Sequence, residues 1–332
     1  MGRHRCGRAW LLLLALGFVQ SGCMIYFPSG FLSGLVLHPG TSCEHLADIL
    51  ELGDLPRIST PAQAGLRYEA ISFAGGDGRR LAGWYVPAQY EGVPEAQPFG
   101  TVLILHGTDA TVACTIPWVL LAAQNGLHVV TFDYQGFGDS EGTADIATLL
   151  NDAEAALQWI LADESPARQR VHLLGTSLGT GPALGLAVLR NRPQIESVAL
   201  DGAYDPEAVV RGIESRIGGL FPLFGLSARL NFRWLFAMRE GLPKMSVPVL
   251  FLVAEEDTIT PAAGARAMYE LAGSGAKSYW SFAGRRHIQP FFLDRAEYVS
   301  LMVTFWRSPT ERPSRDAVPG DATIRVPSLV AD

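Results

Sequence analysis

A serine flanked by glycines is the first residue of this sequence that could do chemistry. Ser177 is the centre of GTSLG at residues 175–179, which follows the apolar run 171–174 and precedes a helix-like stretch of small residues at 182–189. A serine on such a strand-to-helix turn adopts a strained backbone that holds its hydroxyl clear of the sheet, near the positive end of the next helix. The five letters alone are a weak pattern, but this setting predicts a nucleophile.

A serine hydroxyl needs a general base, and the base needs an acid that orients it. Residues 247–253 form an apolar, β-branched run typical of a buried strand, and the acids Glu255, Glu256 and Asp257 follow it. We predict Asp257 as the orienting acid because it directly precedes the start of the next helix. Glu255 and Glu256 are interpreted as solvated loop charges. Asp201, which ends another predicted strand, is the reserve candidate.

His287 is the predicted base. It lies in a loop after the strand candidate 277–282, and we therefore expect it at the same edge of the sheet as Ser177 and Asp257. The other six histidines lie in the leader, before the sheet, at the end of a strand, or at or within a strand.

Donors for the developing oxyanion complete the predicted site. One is the backbone N–H of Leu178, directly after the nucleophile, and the second is expected in the loop that follows the strand candidate 101–105. We predict Thr108 as that second donor, because Gly107 gives the loop the freedom to aim an amide. An ordinary strand-ending turn is the alternative interpretation of this loop.

The elements that must position these residues alternate between strand and helix. A β-hairpin is predicted at 68–73 and 80–86, and further strands lie near residues 101, 128, 171, 196, 247 and 277 with helical patterns between them. This alternation indicates a mostly parallel sheet covered by helices on both faces.

Four segments make up the predicted organisation of the chain. Residues 1–22 are a signal peptide, 23–65 an N-terminal extension with a helix candidate near 44–51, 66–306 the catalytic domain, and 307–332 a disordered tail. Within the domain, the insertion at about 205–246 carries aromatic stretches and is predicted to form a cap that suits an acyl chain. Packing of the same aromatic residues onto the core is the alternative.

Five stretches carry a family resemblance: VLILHGT, VVTFDYQGFGDSEG, LLGTSLGTGPAL, PVLFLVAEEDTITP and GRRHIQPF, in that order. With them the chain resembles the α/β-hydrolase superfamily over roughly residues 66–306, and within it serine hydrolases of the Bem46 and ABHD13 type. The resemblance implies an α/β-hydrolase fold with a mostly parallel eight-stranded sheet. It also implies cleavage of a small acyl ester through a serine acyl-enzyme, with no cofactor or metal.

On this resemblance, Ser177, Asp257 and His287 fall on the family's triad, and Leu178 and Thr108 fall on its oxyanion donors. The same triad would serve a thioesterase, an acyltransferase or a peptidase, and a non-catalytic binding protein is a further alternative. Arginines 285 and 286 intervene between a glycine and the histidine, unlike the usual family pattern. They suggest an anionic substrate, with solvated loop arginines as the competing interpretation.

The N-terminus resembles a bacterial lipoprotein signal. A positive head precedes the apolar stretch 9–19, which is too short to span a bilayer, and small residues stand directly before Cys23. The pattern predicts removal of residues 1–22 and lipidation of Cys23, with the chain anchored in the cell envelope, on the periplasmic side of a Gram-negative outer membrane. Gln20 departs from the usual aliphatic residue, and a signal without lipidation is the alternative.

Charge and cysteine content limit the partners. The net charge is −7, and removal of three arginines with residues 1–22 changes it to 23 − 33 = −10. An acidic chain without a basic face argues against nucleic acid, so membrane association would come from the lipid. The oligomeric state leaves no trace in the sequence. An oxidising compartment would permit a Cys43–Cys114 disulfide, but the sequence gives no distance between them and free thiols are the expectation.

Replacing Cys23 by serine removes the thiol that a lipid would modify. We expect Cys23→Ser to abolish incorporation of labelled palmitate in a Gram-negative host, as measured on a gel. The matched control is Cys6→Ser, which alters a cysteine inside the leader and should leave incorporation unchanged. Equal labelling of Cys23→Ser and the parent chain would contradict the lipidation.

Overall fold

The protein is built around an eight-stranded β-sheet. The computed structural model describes residues 28–40, 43, 58–89, 97–216 and 224–311. The predicted signal peptide, the lipidation site at Cys23, the helix candidate near 44–51 and most of the predicted tail lie outside these residues. The strands are β1 Glu69–Ala74, β2 Arg80–Val86, β3 Gly100–Leu105, β4 Leu127–Phe132, β5 Val171–Thr176, β6 Ile195–Asp201, β7 Val249–Ala254 and β8 Lys277–Phe282.

The strand order is β1-β2-β4-β3-β5-β6-β7-β8. Strand β2 pairs antiparallel with both β1 and β4, and all later pairs are parallel. Strands β3, β5 and β7 are buried along their whole length, as expected for apolar runs in a sheet covered on both faces. The predicted α/β-hydrolase fold with a mostly parallel sheet is confirmed.

Helices cover both faces of the sheet. They are α1 Ser29–Ser33, α2 Ile116–Gln124, α3 Leu149–Leu161, α4 Thr180–Gly185, α5 Pro206–Arg216, α6 Phe224–Asn231, α7 Arg233–Gly241, α8 Ala262–Leu271, α9 Gln289–Leu293 and α10 Arg295–Arg307. Side chains of β3 alternate between two cores: Leu103 belongs to the core that includes residues of α3, α4, α7 and α8, whereas Ile104 belongs to the core that includes residues of α2, α9 and α10. Within the described residues, no helix has both the length and the apolar character needed to cross a bilayer.

The insertion between β6 and β7 is helical where the structure describes it. It forms α5, α6 and α7, and residues 217–223 between α5 and α6 lie outside the described residues. Helix α7 packs against α4, and the indole N–H of Trp234 donates to the Ile146 carbonyl at 2.9 Å. This insertion is therefore fastened to the helical layer that follows the Ser177 turn.

The N-terminal strap, which we define as residues 28–40 with Cys43, lies along the loop that follows β3. Cys43 forms a disulfide with Cys114, with their Cα atoms 5.4 Å apart and the two residues 71 positions apart in sequence. The expectation of free thiols was therefore wrong. Its physical reason is a contact between distant segments, which neither cysteine's local sequence encodes.

Loss of this disulfide should destabilise the protein. Closing a loop of this length removes conformational freedom from the unfolded chain, and the expected loss in free energy of unfolding is about 4 kcal/mol. Urea unfolding with and without a reductant measures it in the parent chain. The Cys43→Ala/Cys114→Ala variant is the control, because its unfolding midpoint should be lowered and should not respond to the reductant. A parent midpoint that is unchanged by the reductant would contradict the prediction.

Candidate active site

Ser177 lies on a strained turn directly after β5. Its φ is 50°, in the left-handed region that side chains rarely adopt, and a 3₁₀ turn over Ser177–Gly179 begins at this residue. A Cβ at position 179 would collide with the Leu105 carbonyl, so the glycine lets the turn pack closely against β3. The sequence around Ser177 thus folds into the strand-to-turn geometry that was expected, and the turn holds the serine at the carboxyl edge of the sheet.

His287 and Asp257 meet at the same edge. The imidazole Nδ1 lies 2.7 Å from Asp257 Oδ2, although the two residues follow different strands, β8 and β7. The other carboxylate oxygen accepts the backbone N–H groups of Ile259 and Thr260, each at 2.8 Å. Burial raises the pKa of the Asp257 carboxyl, but the hydrogen bond and charge of His287, with help from Thr260, outweigh it and hold that pKa below its ordinary value.

Thr260 is a residue that sequence reasoning missed. Its hydroxyl donates to Asp257 Oδ2 at 2.8 Å and lies 3.1 Å from His287 Nδ1, so it packs against both members of the pair. A signal was present, since a threonine three residues after an acid in a turn commonly bonds back to it. Gly202 also lies against His287. A Cβ at position 202 would lie 3.0 Å from the imidazole Cε1, and the backbone φ of +72° there favours glycine.

Ser177 and His287 line one pocket, which is partly open to solvent. Ser177 is 9% exposed and His287 8% exposed, so both are reached chiefly through this pocket. Since the imidazole uses Nδ1 to contact Asp257, Nε2 is the nitrogen available for proton exchange. The described lining residues all lie outside the insertion at 205–246, and a lid role for that insertion stays a prediction.

The predicted oxyanion donors both belong to segments next to the serine. Leu178 follows Ser177 in the turn, and Thr108 lines the pocket in the loop after β3. That loop lies directly against the serine, because a Cβ at Gly107 would be only 3.3 Å from Ser177 Cβ. The Thr108 hydroxyl is engaged by the strap: it donates to the Val36 carbonyl at 3.2 Å and accepts the His38 N–H at 3.0 Å. Its backbone N–H is therefore the group to consider as a donor.

A buried histidine, His106, supports the loop that follows β3. The His106 ring packs against Tyr134 with ring centres 4.6 Å apart, and its Nδ1 lies 2.8 Å from the Gly107 carbonyl oxygen. Burial lowers the pKa of the imidazole. Asp133 accepts the backbone N–H of Val112 at 2.9 Å and so braces the same loop. These contacts make His106 and Asp133 supports of the loop after β3.

Arg285 is bound within the protein. Its guanidinium forms two hydrogen bonds to Asp294, at 2.6 and 2.9 Å, on the segment that begins α10. A cation held in this way is already matched by a carboxylate, which weakens the suggestion that Arg285 selects an anionic substrate. Among the described residues, no group of three histidine, cysteine or acidic side chains could hold a metal ion.

Asp201, the reserve acid, has a different partner from the one expected of an orienting acid. It accepts a hydrogen bond from the Tyr298 hydroxyl at 2.8 Å, and that hydroxyl accepts the Trp118 indole N–H at 3.0 Å. Burial raises the pKa of Asp201 to about 7. The imidazole of His287 bonds to Asp257 instead, so the geometry favours Asp257 over Asp201 as its partner.

Known proteins match this chain as a family model, as related sequences and as solved structures. A hydrolase family model described as "Serine aminopeptidase, S33" matches residues 96–240. The uncharacterized protein YfhR of Salmonella typhi is 32% identical over 224 residues, which cover 64% of this chain and 71% of that one. Protein bem46 of Schizosaccharomyces pombe is 26% identical over 71% of this chain and 76% of its own.

Solved structures share the fold. The Pyrococcus furiosus esterase Pf2001 superposes with a TM-score of 0.60 at 17% identity, covering 76% of this chain and 96% of that one. At this level of identity the match concerns the fold alone. The Bem46-type resemblance found in the sequence motifs is confirmed by the matches to YfhR and bem46.

The buried carboxyl of Asp201 should make stability depend on pH. Its pKa of about 7 in the folded protein is above the ordinary 3.8, so the folded state holds a proton that the unfolded chain releases. The stability that this proton provides is present near pH 4 and is lost as the pH rises to 7. Asp201→Asn removes the titration, keeps an acceptor for Tyr298, and should stabilise the protein at pH 8 by up to about 4 kcal/mol.

Urea unfolding at pH 5 and pH 8 measures this effect, and the gain from Asp201→Asn should be larger at pH 8. Asp201→Ala is the control, because it leaves the Tyr298 hydroxyl without its acceptor and should destabilise the protein at both pH values. An Asp201→Asn effect of equal size at both pH values would contradict the assignment.

Proposed function

Because this chain belongs to the α/β-hydrolase superfamily, in the family that includes YfhR and Bem46, we propose that it is a serine hydrolase of carboxylic esters. Ser177 is the proposed nucleophile, His287 the base and Asp257 the orienting acid. The observation that carries the proposal is the 2.7 Å contact between His287 and Asp257, with His287 and Ser177 lining one pocket. A base oriented by an acid beside a serine on a strained turn is the arrangement that acyl transfer requires.

The chemistry follows from these positions. His287 Nε2 accepts the proton of the Ser177 hydroxyl as its oxygen attacks the ester carbonyl, and Asp257 stabilises the resulting imidazolium. The backbone N–H groups of Leu178 and Thr108 are the proposed donors to the oxyanion. Collapse of the intermediate releases the alcohol, which takes the proton from His287. Water then attacks the acyl-enzyme by the same steps, releases the acid and restores Ser177.

The pocket lining supports an ester with an apolar acyl group. Ala110, Trp118, Ile259 and Ile288 supply apolar walls beside the serine, as ligand pockets for acyl chains do. The matched fold of Pf2001, an esterase, fits this substrate class. Thioesters and amides would use the same attack, and the matched family model bears the name of an aminopeptidase. A substrate panel with ester, thioester and amide bonds and an alcohol acceptor separates these reactions.

A place in the cell envelope is the second part of the proposal. The leader and Cys23 predict export and a lipid anchor, on the periplasmic side of a Gram-negative outer membrane. The Cys43–Cys114 disulfide supports export, because such bonds persist in oxidising compartments and are rare in the cytosol.

Loss of the proposed nucleophile should abolish turnover without unfolding the protein. Ser177→Ala is expected to lower kcat/KM for p-nitrophenyl butyrate by about 10³-fold or more, because attack on the ester carbonyl is lost. Ser215→Ala is the matched control: this serine lies on α5 and its hydroxyl bonds to the Gly212 carbonyl.

A fluorophosphonate probe should label the parent chain and Ser215→Ala but not Ser177→Ala. Retention of esterase activity by folded Ser177→Ala would overturn the proposal. Absence of labelling in the folded parent chain would favour a non-catalytic binding protein.

A further inference from the structure

Exposed apolar side chains are unevenly distributed over the described residues. Seven large apolar side chains there are between 36% and 54% exposed. All seven lie on the strap or on segments that follow the carboxyl ends of β6, β7 and β8. Within the described residues, none lies on the long helices α2, α3, α8 and α10 or on the loops at the amino edge of the sheet. Single exposed apolar residues are ordinary, but several of them on neighbouring segments form a candidate interaction surface.

Four of these side chains form two neighbouring pairs. Phe31 and Leu35, at and just beyond α1, are 51% and 48% exposed, and Leu226 and Leu230 on α6 are 44% and 49% exposed. Helices α1 and α6 pack against each other, and their inner sides join the same buried core. Leu226 and Leu230 are four positions apart on α6 and therefore lie on the same side of that helix. Phe31 on α1 and Leu35, two residues beyond the end of α1, are both exposed. We call these four residues the apolar face.

The apolar face adjoins the pocket. The residue after Leu35 is Val36, whose carbonyl accepts the hydroxyl of the pocket-lining residue Thr108. Ile259, which is 54% exposed, lines the same pocket from the loop after β7. The strap part of the apolar face therefore lies next to a pocket-lining residue, and Ile259 adds an exposed apolar side chain to the pocket itself.

A membrane tether would lie close to this face. Cys23 precedes Pro28, the first described residue, by five positions, and a fully extended chain of that length spans at most about 18 Å. This step rests on the lipid anchor of the proposed function. A lipid on Cys23 would hold α1 near the bilayer surface, and this short distance favours a bilayer over a protein partner as the occupant of the apolar face.

We propose that the apolar face docks on a lipid bilayer and opens the Ser177 pocket toward esters that reside in the membrane. Docking is by apolar burial, not by attraction to anionic lipid. The net charge of the chain is negative, and Arg229 on the outward side of α6 is paired with Glu207 at 2.5 Å. The bilayer contact should therefore form on zwitterionic phosphatidylcholine as well as on vesicles that contain phosphatidylglycerol.

Depth-dependent quenching tests the contact directly. The full chain, with its anchor, is reconstituted in phosphatidylcholine vesicles and carries an environment-sensitive fluorophore at Leu226→Cys. The matched control carries the fluorophore at Gly275→Cys, an exposed site before β8 with open space around it, at the opposite edge of the sheet. Background is taken from the chain without an added cysteine. Brominated phosphatidylcholine should quench the label at position 226 and leave the label at 275 unchanged.

Kinetics supply the second test. Leu226→Asp/Leu230→Asp should lower the rate on a fluorogenic ester embedded in vesicles by about 10-fold and leave the rate on soluble p-nitrophenyl butyrate within about 2-fold. Ala162→Asp/Gly275→Asp adds the same charge at two exposed positions, the residue after α3 and the turn before β8, and should change neither rate. Leu226→Gln/Leu230→Gln serves as a milder replacement if the aspartates unfold α6.

The outcomes separate docking from catalysis. Equal quenching of the labels at 226 and 275, or none at 226, overturns the docking proposal, as does a parallel fall in both rates for a folded variant. Quenching that requires phosphatidylglycerol overturns the apolar mode of docking. A chain that hydrolyses neither ester overturns the proposed function, and the quenching experiment then still decides whether the apolar face contacts lipid.

Discussion

The contact between His287 Nδ1 and Asp257 Oδ2 is the interaction on which the candidate site depends. It joins loops that follow two different strands, and it exists because β7 and β8 run parallel and end at one edge. Strand β5, which is followed by Ser177, ends at the same edge and is separated from β7 by one strand, β6. A parallel sheet thus gathers residues that are 30 to 110 positions apart in sequence, and the polar groups they carry meet where ligands bind in such folds.

Much of the site could be predicted because each residue has a local signal. Ser177 follows the buried strand β5, and His287 follows the aromatic strand β8; runs of this kind are recognisable from residue type and periodicity. The choice between Asp257 and Asp201 was harder, since both end or follow a strand. The structure distinguishes them by partner: Asp257 contacts the imidazole, whereas Asp201 accepts a hydrogen bond from Tyr298 on α10.

Contacts between distant segments explain what the sequence did not reveal. The disulfide links Cys43 to Cys114 because the strap follows the loop after β3, and no periodicity in either segment encodes that path. Thr260 was visible as the start of a helix, but its role against two side chains depends on the position of His287. The predicted cap is helical as far as it is described, yet the described pocket wall comes from the strap-bound loop and the strand ends.

The disulfide also sets an order of events for the chain. Cys114 lines the pocket, so one wall of the cavity is closed by a covalent bond to the N-terminal strap. Such bonds are rare under the reducing conditions of the cytosol. A newly made chain would therefore lack the Cys43–Cys114 bond beside its pocket until it reached an oxidising environment. On the proposed export of the chain, completion of this wall of the cavity would be coupled to passage out of the cytosol.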